Sequence, residues 1–169
     1  MIVRNTLLLS VGSALVVVVA LAAAAGAQGK SQEELRKPFI GTWRLVSIEG
    51  GPQSTASRGA RPTGIIMYDQ HGLMNVQIMP DRARPKWTGA PTPEQALEAI
   101  RGYTAYWGTY TIDEKAQTVT HHRQGMLDGG IVDYVRKFEL TKDGNRVTLT
   151  PISGGSTDTP THLTWERVR

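Results

Sequence analysis

Tyr134 and Arg136 are the first residues whose types and spacing suggest that they could hold a ligand. They lie in the run Tyr134-Val135-Arg136-Lys137-Phe138-Glu139-Leu140, and residues two apart on an extended strand share a face. Phe138 and Leu140 are on that same face and mark it as inward. A guanidinium directed into an apolar interior needs a counter-charge, because an isolated buried charge is very costly. A ligand carboxylate would supply it, with the Tyr134 hydroxyl as a second contact. An internal ion pair with Glu166 or Asp133, or an Arg136 turned to water, would serve structure alone.

His121 and His122 raise the question of a metal. Neighbours on a strand point to opposite faces, so the two cannot ligate one ion without a bulge. His71 falls in a turn segment and His162 opens the last apolar run. A catalytic zinc needs three protein ligands and an open position, so no metal site is expected. His121 is the better functional candidate, as a hydrogen-bond partner for a polar ligand or as an acid or base. Bonded to Tyr110 or to a backbone carbonyl, it would be a core residue instead. Tyr68, Tyr106, Trp107 and Tyr110 add aromatic surface suited to an apolar ligand with one polar end, or equally to an ordinary core. Tyr106 and Tyr110 share a face with Gly108, where a missing side chain would leave room. Met67, Met74 and Met79 read as packing residues.

Several chemistries are excluded. The chain of 169 residues has no cysteine, which removes disulfides, thiol nucleophiles and Cys-zinc sites. It carries no Gly-x-Ser-x-Gly elbow, no Gly-x-Gly-x-x-Gly and no P-loop, so nucleotide binding and the common hydrolase plans fall away. Adjacent acidic pairs occur only at Glu33-Glu34 and Asp113-Glu114, where solvation accounts for them. The net charge of +4 is mild and its basic residues are interleaved with acids. A nucleic-acid partner needs a concentrated basic face, and none is expected.

The elements that must position these residues are mostly strands. Residues 42–49, 64–69, 73–79, 105–112, 117–124, 133–140, 146–152 and 161–168 are rich in Val, Ile, Thr, Tyr and Trp and are separated by turn residues. Lys142-Asp143-Gly144-Asn145 is a tight hairpin signal, and 50–64 is a Gly-, Pro- and Ser-rich loop. A short helix is expected at 31–37, capped by Ser31 and Glu34 and stopped by Pro38. A second begins at Thr92-Pro93-Glu94-Gln95, with Ala96, Leu97, Ile100 and Tyr103 on one apolar face. The predicted class is all-β: eight antiparallel strands in an up-and-down barrel or a sandwich, with one inserted helix. A closed barrel of this size has no free edges and can hold one small ligand.

The N-terminus has a different composition. Arg4 is followed by an apolar run over 7–25 and a small-residue exit, Ala25-Gly26-Ala27. This is the pattern of a secretory signal peptide over 1–27. The alternative is an uncleaved anchor, since 6–25 is long enough to span a bilayer. The domain plan is therefore a leader (1–27), a short helix and linker (28–37) and the barrel domain (38–169). The address is periplasmic or secreted, with no membrane span after cleavage.

Five phrases occur in order: Gly41-Thr42-Trp43-Arg44-Leu45-Val46-Ser47, Gly64-Ile65-Ile66-Met67-Tyr68-Asp69, Tyr106-Trp107-Gly108-Thr109-Tyr110, Val119-Thr120-His121 and Leu163-Thr164-Trp165-Glu166-Arg167. Together they resemble a bacterial and fungal lipocalin-like domain family over residues 38–169. The resemblance implies a lipocalin-type barrel with a central cavity, opened by a Gly-x-Trp strand whose Trp43 packs beneath Arg167. It also sets this chain apart, by its lack of cysteine and by the long helical insertion between the third and fourth strands, which would act as a lid or as end packing.

Tyr134, Arg136, His121, Tyr110, Tyr106 and Tyr68 are thus the candidate ligand-binding residues, with Trp43 and Arg167 structural. No cofactor is expected. The leading expectation is an exported barrel that binds a small hydrophobic or amphipathic ligand, neutral or anionic. The first alternative is a cofactor-free isomerase, cyclase or hydrolase using His121 for proton transfer and Arg136 for an oxyanion. The second is an envelope or stress protein acting through its surface near Trp87.

Overall fold

The computed structural model describes residues 29–51, 58–127, 129–130, 132–152 and 160–169. The leader and its cleavage site lie outside them, as does part of the first long loop. The elements run α1 (Gln32–Arg36), β1 (Gly41–Glu49), β2 (Thr63–Tyr68), β3 (Leu73–Met79), α2 (Pro93–Ile100), β4 (Thr104–Asp113), β5 (Thr118–Met126), β6 (Tyr134–Leu140), β7 (Arg146–Pro151) and β8 (His162–Arg167). Each strand pairs antiparallel with the next, and β8 returns to β1, so the sheet closes into a barrel. Closure satisfies the backbone groups that a sandwich would leave along its edges.

Alternation along the strands fills the interior. Trp43, Leu45, Ile66, Tyr68, Met74, Val76, Ile78, Tyr106, Tyr110, Ile112, Val119, Val147, Leu149, Leu163 and Trp165 are all buried. A bulge interrupts the β4–β5 pairing, where Trp107 faces Gly125 but Gly108 faces Arg123. Gly108 owes its identity to that junction: a Cβ there would sit 2.0 Å from the His122 carbonyl oxygen. Its lack of a side chain lets two backbones approach, and does not widen the lumen as the sequence suggested.

The two ends of the barrel differ. The short turns at 69–72, 114–117 and 141–145 lie at one end with α1, and β1, β3, β5 and β7 run out at the other, where the longer connections leave the barrel. The first end is plugged. Gln32 hydrogen-bonds both the amide (2.9 Å) and the carbonyl (2.7 Å) of Ile112, and Phe39 packs edge-on against Tyr68 and Phe138. The Trp43 indole donates to the Phe39 carbonyl at 2.7 Å. Arg167 lies 4.1 Å from the Trp43 ring centroid and donates to the carbonyls of Ile40, Pro38 and Gly144. Gly41 has φ +131°, and a Cβ there would press on the Arg167 guanidinium, which is a physical reason for the Gly-x-Trp opening. The short first helix is therefore a plug and more than a surface cap.

Helix α2 behaves otherwise. Thr92 and Gln95 form the expected capping box, yet where Leu35 of α1 packs partly buried against the core, Leu97 and Ile100 of α2 remain exposed. Polar straps hold it: Arg82 binds the Glu98 carboxylate and the carbonyls of Glu98 and Arg101, while Arg84 binds the Ala99 carbonyl. The insertion is neither a plug nor packed into the lumen. Among the described residues no helix is long and apolar enough to cross a membrane.

Candidate functional site

Strand alternation turns Tyr134, Arg136 and Phe138 of β6 inward with Val119 and His121 of β5, and Arg136 is only 7% exposed. His121 is fully buried. Its ring reaches across the barrel from β5 to β2, where Nε2 meets the Tyr68 hydroxyl at 2.7 Å. On its other side Nδ1 lies 2.9 Å from the Tyr106 hydroxyl and 3.0 Å from Arg136 Nη1.

Hydrogen-bond chemistry assigns the proton. A guanidinium can only donate, so Nδ1 must present its lone pair to Arg136, and the imidazole proton sits on Nε2, which donates to the Tyr68 oxygen. Burial holds His121 well below the usual histidine range, and the charges of Arg136 and Arg123 push it in the same direction. The ring is therefore neutral. Burial also raises the phenols of Tyr68 and Tyr106 well out of the physiological range. Neither phenol nor imidazole can neutralise the arginines beside them.

Three guanidiniums converge on this network. Arg136 lies 4.1 Å and Arg123 4.6 Å from the centroid of the Tyr134 ring, and Arg123 is also 5.7 Å from that of Tyr106. Arg58, from the first long loop, donates to the Thr104 hydroxyl at the start of β4 at 2.8 Å, close enough to feel the Arg136 charge, and desolvation lowers its own proton affinity. Its Nε is buried without an acceptor, as is the indole nitrogen of Trp165 on the opposite wall. Among the described residues none of the three arginines forms an ion pair. The carboxylates considered for Arg136 are engaged elsewhere: Asp133 with His122 at 3.0 Å, Glu166 with Arg44 and Arg146.

The structure thus brings together Tyr68, Tyr106, His121, Tyr134 and Arg136. Tyr110 joins only through its ring, whose centroid is 4.7 Å from that of Tyr68: it is opposite His121 in register, but its hydroxyl donates to the Asp69 carbonyl at 2.8 Å. Burial raises that phenol to about 12, and it belongs to the plugged end. Arg123 is two residues beyond His121, so alternation alone points to it. Arg58 has no comparable signal. His122 faces outward, bridging Thr111 and Asp133, and among the described residues no group of three or more potential metal ligands exists. A groove of about 720 Å³ bordered by Met67, Leu73 and Trp107 includes Tyr68 in its lining but none of His121, Tyr106, Tyr134 or the three arginines.

A family model described as "Lipocalin-like domain" matches residues 40–168. Among solved structures, the wild-type fluorescent protein UnaG is 15% identical, with a TM-score of 0.38, covering 79% of this chain and 99% of that one. A point mutant of UnaG is 16% identical, with a TM-score of 0.36 and coverages of 79% and 98%. A search of curated proteins finds no match.

Proposed function

The chain belongs to the lipocalin-like domain family, and from that premise we propose that it binds a small amphipathic anion inside the barrel, at the end of the long loops. The main support is the gathering of Arg58, Arg123 and Arg136 around Tyr106 and Tyr134, beside a neutral, hydrogen-bonded His121, with no carboxylate paired to them among the described residues. Donors surround the site: three guanidiniums, the Tyr134 hydroxyl and two un-ionised phenols. A ligand group that only accepts, such as a carboxylate or phosphate, matches them, and charge-assisted hydrogen bonds are roughly twice as strong as neutral ones. The facing wall of Ile66, Val76, Ile78 and Leu163 is apolar and suits a hydrocarbon body. His121 acts in this reading as a positioning residue. Both its nitrogens are engaged, so it takes no proton from a ligand without first losing a bond that holds Arg136 or Tyr68.

The leader pattern extends the proposal to an exported protein that meets its ligand outside the cytoplasm. Intact-mass measurement of the protein from its own cells would show a chain beginning at Gln28. A chain retaining residues 1–27 would favour the anchor.

Binding can be tested with cis-parinaric acid, whose fluorescence rises on entering an apolar site. Saturable binding that weakens about tenfold or more in Arg136→Met, at unchanged unfolding midpoint, supports the proposal, since tenfold corresponds to one lost charge-assisted contact. Equal affinity of the two proteins would remove Arg136 from the site.

A further inference from the structure

We propose, building on that anion-binding reading, that the site selects a head group bearing two negative charges, such as a phosphate monoester or paired carboxylates on one carbon, over a single carboxylate. The argument is a count of charges. Arginine does not lose its proton in proteins, so Arg58, Arg123 and Arg136 contribute three fixed positive charges. Arg123 and Arg136 share the Tyr134 ring at 4.6 and 4.1 Å, which keeps their charges within about 9 Å of each other, too close to be fully screened in a partly buried site. Arg58 is tied to Thr104 at the start of β4, holds one buried N–H without an acceptor, and lies near enough to Arg136 and Tyr106 to interact with them electrostatically.

The surroundings offer no internal compensation among the described residues. Asp81 contacts Arg61, Glu98 holds Arg82 and Arg101, Asp133 holds His122, and Glu166 holds Arg44 and Arg146. Tyr106 and His121 meet Arg136 as neutral groups. One ligand charge would leave two guanidiniums uncompensated; Arg136 is buried and Arg58 and Arg123 are partly so, and a cation withdrawn from water without a partner is costly. A second charge relieves most of that penalty. The donors also come from separate segments, Arg136 from β6, Arg123 from β5 and Arg58 from the first long loop beside β4, which fits oxygens splayed about one centre better than the two coplanar oxygens of a carboxylate.

Isothermal titration of the full chain with dodecyl phosphate, its methyl diester, decylmalonate and dodecanoate separates charge from shape. At about pH 8 the monoester is fully dianionic while its diester carries one charge. The expected result is at least about tenfold tighter binding of the two dianions than of the two monoanions, with the gap narrowing at about 0.5 M salt. Arg58→Gln and Arg123→Gln should shrink the gap while sparing dodecanoate. Equal affinity for diester and monoester, or a preference that survives both substitutions, would overturn the charge argument and leave the anion site standing. Failure of all four probes to bind would remove both.

Discussion

The two ends of this barrel use the same side chain to opposite effect. At the plugged end Arg167 lies over Trp43 and spends its donors on the carbonyls of Pro38, Ile40 and Gly144. At the mouth Arg123 and Arg136 lie over Tyr134 in much the same way, but the acceptors offered are an imidazole nitrogen, a phenol and the Val132 carbonyl. The difference comes from the adjoining chain. The segment after α1 crosses the plugged end with its carbonyls turned toward Arg167, whereas the described mouth loops bring in another arginine, Arg58. Stacking an arginine on an aromatic ring stabilises by about 0.5–2 kcal/mol at either end. Arg167 is matched by a fan of three carbonyls whereas Arg136 meets only neutral side chains, so the plugged end reads as structure and the Arg136 cluster as recognition.

Three substitutions or titrations would break or sharpen this contrast. The largest effect is expected from Trp43→Ala, which should cost about 3–5 kcal/mol by opening a cavity in a fully packed end. Urea unfolding measures it, and a loss below about 1 kcal/mol would mean the plug does not anchor the barrel.

Next is the response to acid. His121 is held neutral in the fold by burial and by Arg136 and Arg123, with Tyr68, Tyr106 and outward His122 as its other titratable neighbours. Unfolded, it would titrate near 6.5. Below that pH the unfolded chain takes up a proton that the folded chain refuses, so stability is complete above about pH 6.5 and falls by up to about 1.4 kcal/mol per unit as pH drops. Unfolding curves between about pH 7 and 5 should show this slope, flattened in His121→Gln. An equal slope in both proteins would assign the acid sensitivity elsewhere.

The smallest stability effect is expected at the mouth. Arg123→Met should change stability by no more than about 0.5–1 kcal/mol, and in either direction, because it loses ring contacts but relieves repulsion. The same substitution should weaken dianion binding by about tenfold. A large stability loss with intact binding would reverse the roles given to the two ends.

Much of this was legible before any coordinates. The eight strands follow from runs of Val, Ile, Thr, Tyr and Trp bounded by turn residues, and the inward direction of Arg136 follows, by period-two alternation, from Phe138 and Leu140 on its face. The same rule reaches Arg123 through His121. Tyr110 shows where the rule stops: alternation places its ring inside but says nothing of where a long side chain ends, and its hydroxyl lies at the Asp69 turn. The α2 sequence shows the reverse case. Its caps and apolar stripe specify a helix, yet Leu97 and Ile100 find nothing to pack against.

Taken alone, the sequence determined which stretches pair as strands, which faces turn inward, and that the chain could carry no thiol chemistry, because these depend on residue type and on a period local to a few residues. The tertiary structure decided that His121 reaches across to Tyr68 and that Arg58 joins the site. Arg58 is pinned where its carbonyl accepts the Asp81 amide at 2.6 Å, beside Gly59, where a Cβ would collide with the Asp81 carbonyl at 2.1 Å. An aperiodic loop carries no local signal of where it lands, and the meeting of three like charges is fixed only when the closed sheet brings distant segments to one mouth.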